Sequence, residues 1–213
     1  MRIRITYSKA DPLVYTSTLN VQTIWERTFR RSGLALQYSK GFHPQARIQI
    51  ANPLPLGYIG LNEMIDVWLE NELPVKTIEK KIGGNLPAGI HINQIAMVDE
   101  KDPSLSGLVT YSDYVIRFYD DRIDYRLITE KIGQLLERDT IIRERNRKKY
   151  DLRPLISSLQ LMDSGPGKSA ISIRMSSSAG KTGRPEEVLF ELGFGLSDFV
   201  VERSGLILST DLK

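Results

Sequence analysis

Arg2-Ile3-Arg4-Ile5-Thr6-Tyr7 alternates apolar and polar side chains, and Leu19 to Ser32 follows with Leu19, Ile24 and Phe29 at near-helical spacing. The first pattern has the period of a strand with one buried face, the second that of an amphipathic helix. Gly33 stands where a helix C-cap belongs. Working outward, Arg47 to Ala51 and Met64 to Glu70 alternate as strands. Val75 to Leu86 reads as a second helix stopped by Gly83-Gly84 and Pro87, and His91 to Val98 as a closing strand. The order β-α-β-β-α-β is that of a ferredoxin-like unit, in which two helices cover one face of an antiparallel sheet.

The second half repeats this order imperfectly. Tyr111 to Tyr119 reads as a strand and Ile123 to Arg138 as a helix. Thr140 to Arg147, Ile156 to Met162 and Ser169 to Ser176 read as strands, Arg184 to Leu192 as a short helix and Phe199 to Leu208 as a last strand. That is one strand too many. The polar, turn-rich stretch Asp99 to Gly107 reads as a linker. The expected fold is therefore α+β, two tandem ferredoxin-like units with antiparallel sheets, spanning residues 1–105 and 106–213.

A length of 213 residues with 41% hydrophobic content is enough for a sizeable core. The chain contains no cysteine, which excludes a disulfide scaffold, a thiol nucleophile and a Cys-ligated iron–sulfur cluster. No apolar run approaches the roughly 20 residues a membrane helix needs, and the start alternates instead of forming a signal peptide's apolar core. A soluble, cytoplasmic protein without a membrane partner is expected. The net charge of +3 and pI near 9.0 tilt it mildly toward anionic partners.

Motif look-alikes contribute little. Gly165-Pro166-Gly167-Lys168-Ser169 ends like a P-loop, but Met162 stands where the first glycine is required, and Gly180-Lys181-Thr182 fails the same way at Met175. Of the two histidines, His91 opens a strand far from other ligand types, whereas His43 lies in a loop beside Lys40. Carboxylates are scattered: Asp120, Asp121 and Asp124 precede a helix, and Glu186 and Glu187 follow Pro185 at another helix start, where negative charge suits the helix dipole. No metal and no cofactor is expected, and His43 is the one weak candidate for catalysis.

Two basic clusters stand out. The first joins Arg27, Arg30 and Arg31 on the first helix to the loop Tyr38-Ser39-Lys40-Gly41-Phe42-His43-Pro44 and to Arg47. The second is Arg143-Glu144-Arg145-Asn146-Arg147-Lys148-Lys149; as a strand it would point Arg143, Arg145 and Arg147 to one face at about 7 Å intervals, near the spacing of phosphates along a nucleic-acid strand. Its structural counterpart is a solvated edge strand whose charge resists aggregation.

These stretches carry a family resemblance. Thr16-Ser17-Thr18-Leu19-Asn20, Arg30-Arg31-Ser32-Gly33-Leu34, Tyr38 to Pro44, Leu54-Pro55-Leu56-Gly57 and Glu63-Met64-Ile65-Asp66-Val67 resemble the radical-SAM-linked bacterial family of unknown function. Arg184-Pro185-Glu186-Glu187-Val188-Leu189 and Val201-Glu202-Arg203-Ser204-Gly205-Leu206 are similar to its later pattern. Its members are fused to, or encoded beside, radical SAM proteins. Where that family commonly has Ser-His-Leu-Asp, this chain has Ser17-Thr18-Leu19-Asn20, which favours binding over chemistry.

The resemblance implies a division of labour in which the cluster belongs to a radical SAM partner and this chain presents the substrate. The expected function is an RNA-binding accessory protein, with tRNA as the suspected RNA and tRNA modification as the setting. The expected contacts are Arg27, Arg30, Arg31, Ser39, Lys40, Gly41, His43, Arg47, Arg143, Arg145, Arg147, Lys148, Arg184 and Arg203. Two alternatives stand beside it: a metal-free endoribonuclease using His43, and a protein-binding subunit docking through Trp25, Phe29, Phe42 or Trp68.

Overall fold

Ile3, Ile5 and Tyr7 line the buried face of β1 (Arg2–Lys9) and pack with Val21, Trp25 and Phe29 of α1 (Thr18–Arg31). The computed structural model describes residues 1–120, 124–145, 147–163, 169–178 and 181–212. Both P-loop look-alikes fall partly outside these residues, as do Asp121 and Asn146. The chain divides into two compact units, Met1–Val109 and Thr110–Lys213, each a mixture of a few helices with a mostly antiparallel sheet.

In the first unit, β2 (Ile48–Ile50), β3 (Ile59–Trp68), α2 (Val75–Gly83) and β4 (Ile90–Val98) follow α1, and a short α3 (Leu105–Leu108) ends the unit. The strands lie in the order β2-β3-β1-β4 with antiparallel neighbours. Ile65 and Val67 of β3 and Ile78 and Ile82 of α2 complete the core. Trp25 meets Tyr7 edge-on at 5.1 Å and lies 6.2 Å from Phe29. Trp25 and Phe29 are fully buried, so neither is a docking residue.

The opposite face of β1 departs from the simple alternation reading. Arg2 and Arg4 converge on Asp66 of β3, which is completely buried: Arg2 Nη2 donates at 2.6 Å and Arg4 Nε at 2.8 Å. A carboxylate removed from water is tolerated here because its oxygens accept from two guanidiniums. Arg2 also donates to the carbonyls of Asp99, Asp102 and Pro103, and Leu105, fully buried, donates its N–H to Gln49. The stretch read as a linker is thereby tied to the first unit.

The second unit contains β5 (Val109–Phe118), α4 (Tyr125–Leu136), β6 (Ile142–Arg145), β7 (Lys148–Asp151), β8 (Ile156–Asp163), β9 (Ser169–Ser178), β10 (Lys181–Thr182), α5 (Pro185–Glu191) and β11 (Phe199–Leu208). Asp124 caps α4 by accepting from the Arg126 and Leu127 N–H groups. β9 lies between β5 and β8, and β5 lies between β9 and β11. The surplus strand is explained by β6 and β7, which form a separate hairpin inserted between α4 and β8. Without that hairpin and the two-residue β10, which pairs with the end of β9, the element order and strand order of the first unit recur.

The hairpin has its own anchors. Ile141 and Leu152 are fully buried at its base, Leu152 N–H donates to the Ile141 carbonyl, and Asp151 Oδ1 accepts from the N–H groups of Ile141 and Arg153. Arg147 occupies its turn at φ 62°, so the row expected from Arg143 through Arg147 stops at Arg145. Arg147 is displaced from the row because the chain turns there into β7 instead of continuing β6.

Candidate nucleic-acid interface

The loop of the first unit stands on a pinned stalk. Tyr38 bridges to Ala46, Ser39 N–H donates to the Gln45 carbonyl at 2.8 Å, and Gln45 N–H donates to Ser39 Oγ at 3.0 Å. Ser39 is therefore a structural residue of the stalk. Beyond it, Lys40, Gly41, Phe42, His43 and Pro44 are all exposed. Gly41 adopts φ 134°, where side chains other than glycine's are strained. Lys40 and His43 have no partner among the described residues, and Phe42 is 102% exposed.

The first helix adds cations of graded availability. Arg27 is exposed with no partner among the described residues. Arg30 pairs with Glu26 at 2.7 Å one turn back, an exposed pair worth about 0.3–0.5 kcal/mol that a stronger anion can displace. Arg31 donates to the Asn85 carbonyl at 3.0 Å. Arg30 and Arg31 in the last turn of α1, like Lys80 and Lys81 in that of α2, also complement the negative end of a helix dipole. An open cleft of about 360 Å³ lies between Arg30, Leu34, Tyr38 and Glu70, so the helix and the loop stalk border one depression. Arg47 is held at the stalk base, donating to Gln37 at 2.6 Å with its guanidinium 4.5 Å from the Trp68 ring centre.

In the second unit, Arg138 and Arg143 are committed to one carboxylate. Arg143 donates to Glu191 Oε1 at 2.8 Å and Arg138 to Oε2 at 2.7 Å, so one carboxylate of α5 clamps both the end of α4 and the hairpin. Burial alone would raise the Glu191 carboxyl, but the hydrogen bonds and charges of Arg138 and Arg143 hold it below its ordinary value. Glu187, one turn earlier, goes the other way: burial raises it against the pull of Arg145 and Arg143, and its Oε2 has no hydrogen-bond partner. Arg145 lies 5.4 Å from the Tyr150 ring centre. Arg184 sits 3.7 Å from Glu186 at the start of α5, and Lys148 is exposed in the hairpin. Arg203 is 1% exposed within β11, which removes it from any surface interface. It alternates with buried Phe199 and Val201, so its burial follows from strand period.

Sequence reasoning named Phe42 only as a protein-docking candidate and missed two further features. Phe42 is the most exposed aromatic of the loop. Glu187 and Glu191 share a helix face at i, i+4 spacing, which could have marked them as partners for the basic hairpin. Beneath the start of α1, buried Lys9 and Glu63 share with Thr16 and Thr18 the lining of a cavity of about 10 Å³, room for a single water. Lys9 Nζ donates there to the carbonyls of Val14 and Thr16. Among the described residues no cluster of three or more potential ligands could hold a metal ion, and no helix is long and apolar enough to cross a membrane.

No curated protein matches the chain. Among solved structures, a chain of a Cbf5–Nop10–Gar1 complex aligns over 97% of this chain and 47% of its own length at 11% identity, with a TM-score of 0.46. The chain thus spans about half the length of that protein. A candidate glycine cleavage system transcriptional repressor aligns over 90% of this chain and 85% of its own at 13% identity, with a TM-score of 0.26. Likenesses at these scores carry no functional argument. The model of the family described as "Uncharacterized protein conserved in bacteria (DUF2344)" matches residues 2–185, and the chain belongs to that family.

Proposed function

We propose that this protein is an RNA-binding accessory module that presents an RNA, a tRNA in the first instance, to a separate modifying enzyme. The observation that carries the reading is the set of uncommitted basic groups on α1 and its following loop. Arg27, Lys40 and His43 have no partner among the described residues, and Arg30 is held only by an exposed pair beside an open cleft. Unpaired cations on a pinned loop and a helix face can exchange condensed counterions for phosphates at little structural cost.

Both units are read as ferredoxin-like on their shared strand order, with the β6–β7 hairpin as an insertion. A radical SAM protein as the partner rests on the motif resemblance of Tyr38 to Pro44 and its companions. The chain, without cysteine, would leave the cluster to that partner. Binding is favoured over a ribonuclease role because His43 is exposed and has no carboxylate to orient its ring among the described residues.

The test is the affinity of the full chain for fluorescently labelled tRNA as salt is varied. The expected result is a linear fall of log K with log salt at a slope of about −2 to −4, from several phosphate contacts. A salt-independent affinity, or no binding at low salt, overturns the reading.

A further inference from the structure

We propose that the tip of the Lys40–Pro44 loop is a platform for an unpaired nucleobase, with Phe42 stacking on the base and Lys40 and His43 taking the neighbouring phosphates. This rests on the RNA-binding reading and adds that the bound segment is single-stranded.

Phe42 is 102% exposed, so its ring gains nothing from the fold. A flexible tip could fold the ring back onto the apolar surface, but this stalk is cross-linked by the Tyr38–Ala46 bridge and by both Ser39–Gln45 hydrogen bonds. Gly41 at φ 134° sets the chain direction immediately before Phe42, with nothing within 4 Å of where a side chain would begin. The loop therefore holds an aromatic face out in water, between the Lys40 ammonium and the His43 imidazole.

Those neighbours select the occupant. A purely apolar partner would leave Lys40 and His43 desolvated and unpaired beside it. A nucleotide supplies both a π-face for Phe42 and an anion for the donors, and every base has such a face. Duplex RNA does not fit, because its bases are stacked and paired and its deep groove is too narrow for side chains to read. Tyr38, 45% exposed at the stalk base, borders the cleft that Arg30 lines, so a strand anchored at Phe42 has a second aromatic and a further cation next along the surface.

The experiment compares the full chain binding a short labelled RNA as a single strand and annealed to its complement, with Phe42→Ala and Phe42→Trp beside the natural protein. The single strand is expected to bind more tightly than the duplex. Phe42→Ala should weaken single-strand binding by roughly 5- to 100-fold with the salt slope unchanged. Phe42→Trp should retain affinity and lose indole emission as RNA is added. Equal single-strand affinity for Phe42→Ala and the natural protein, with the salt slope intact, overturns the platform and leaves the RNA-binding reading standing. An equal loss on duplex and single strand also overturns the platform. Absence of salt-dependent binding to either RNA overturns both. Binding to anionic phosphatidylserine vesicles that Phe42→Ala abolishes, while RNA binding is unaffected, reassigns the loop to a lipid surface and overturns the platform.

Discussion

Arg143 and Arg145 of the inserted hairpin stand in the opposite condition to the basic residues of α1 and its following loop. On α1 and its following loop, Arg27, Lys40 and His43 meet only solvent among the described residues. On the inserted hairpin, Arg143 is bonded to Glu191, while Arg145 lies against Tyr150 and within the field of Glu187. The difference teaches that a run of arginines measures charge and not availability. A guanidinium bonded to a partly buried carboxylate must lose that bond before it can meet a phosphate, which offsets much of what the phosphate would contribute.

The strongest way to break the contrast is to release the clamp. Glu191→Ala removes the carboxylate shared by Arg138 and Arg143, and the hairpin should open about 2 kcal/mol more easily. Both tryptophans, Trp25 and Trp68, lie in the first unit, so their fluorescence does not report on this change. Hydrogen exchange at Leu152, whose N–H donates to Ile141, does, and it should accelerate roughly 30-fold. Unaltered exchange there would mean that packing of Ile141 and Leu152 alone holds the hairpin.

A smaller effect sharpens the same point through pH. Burial raises the Glu187 carboxyl, so its contribution favours the folded hairpin most below the ordinary carboxylate range and is lost as pH rises through the raised value. Glu191 is depressed, so its contribution is present above that range and is lost as pH falls through the lowered value. Hairpin protection, corrected for intrinsic exchange, should therefore pass through a maximum in mildly acidic solution. Glu187→Gln should add about 1 kcal/mol at neutral pH, with the gain vanishing as pH falls, because the orphaned Oε2 no longer belongs to a buried charge. A loss of protection at neutral pH would show that Glu187 serves the arginines as a charge partner.

How much of this could be read from sequence depended on the range of the interactions. The burial of Ile3, Ile5 and Tyr7 followed directly from their period, because one face of β1 meets the helices. The same alternation assigned Arg2 and Arg4 to solvent, whereas Asp66, more than sixty residues away, draws them into a buried network. The hairpin was read as one strand because its turn carries no glycine; Arg147 takes the positive φ instead. The loop at Tyr38 to Pro44 was marked by its own composition, but the role of Ser39 as stalk and of Phe42 as tip required the cross-loop bonds. The commitment of Arg143 could not be read locally, since Glu191 lies 48 residues along the chain.

The most direct test of the contrast is the salt dependence of single-stranded RNA affinity for two double variants of the full chain, Arg27→Ala with Lys40→Ala and Arg143→Ala with Arg145→Ala. The account predicts that the first pair flattens the slope of log K against log salt by about 1.4, two single-strand phosphate contacts, and that the second pair changes it by less than half as much. A larger change from the hairpin pair, with the first pair leaving the slope untouched, would contradict it.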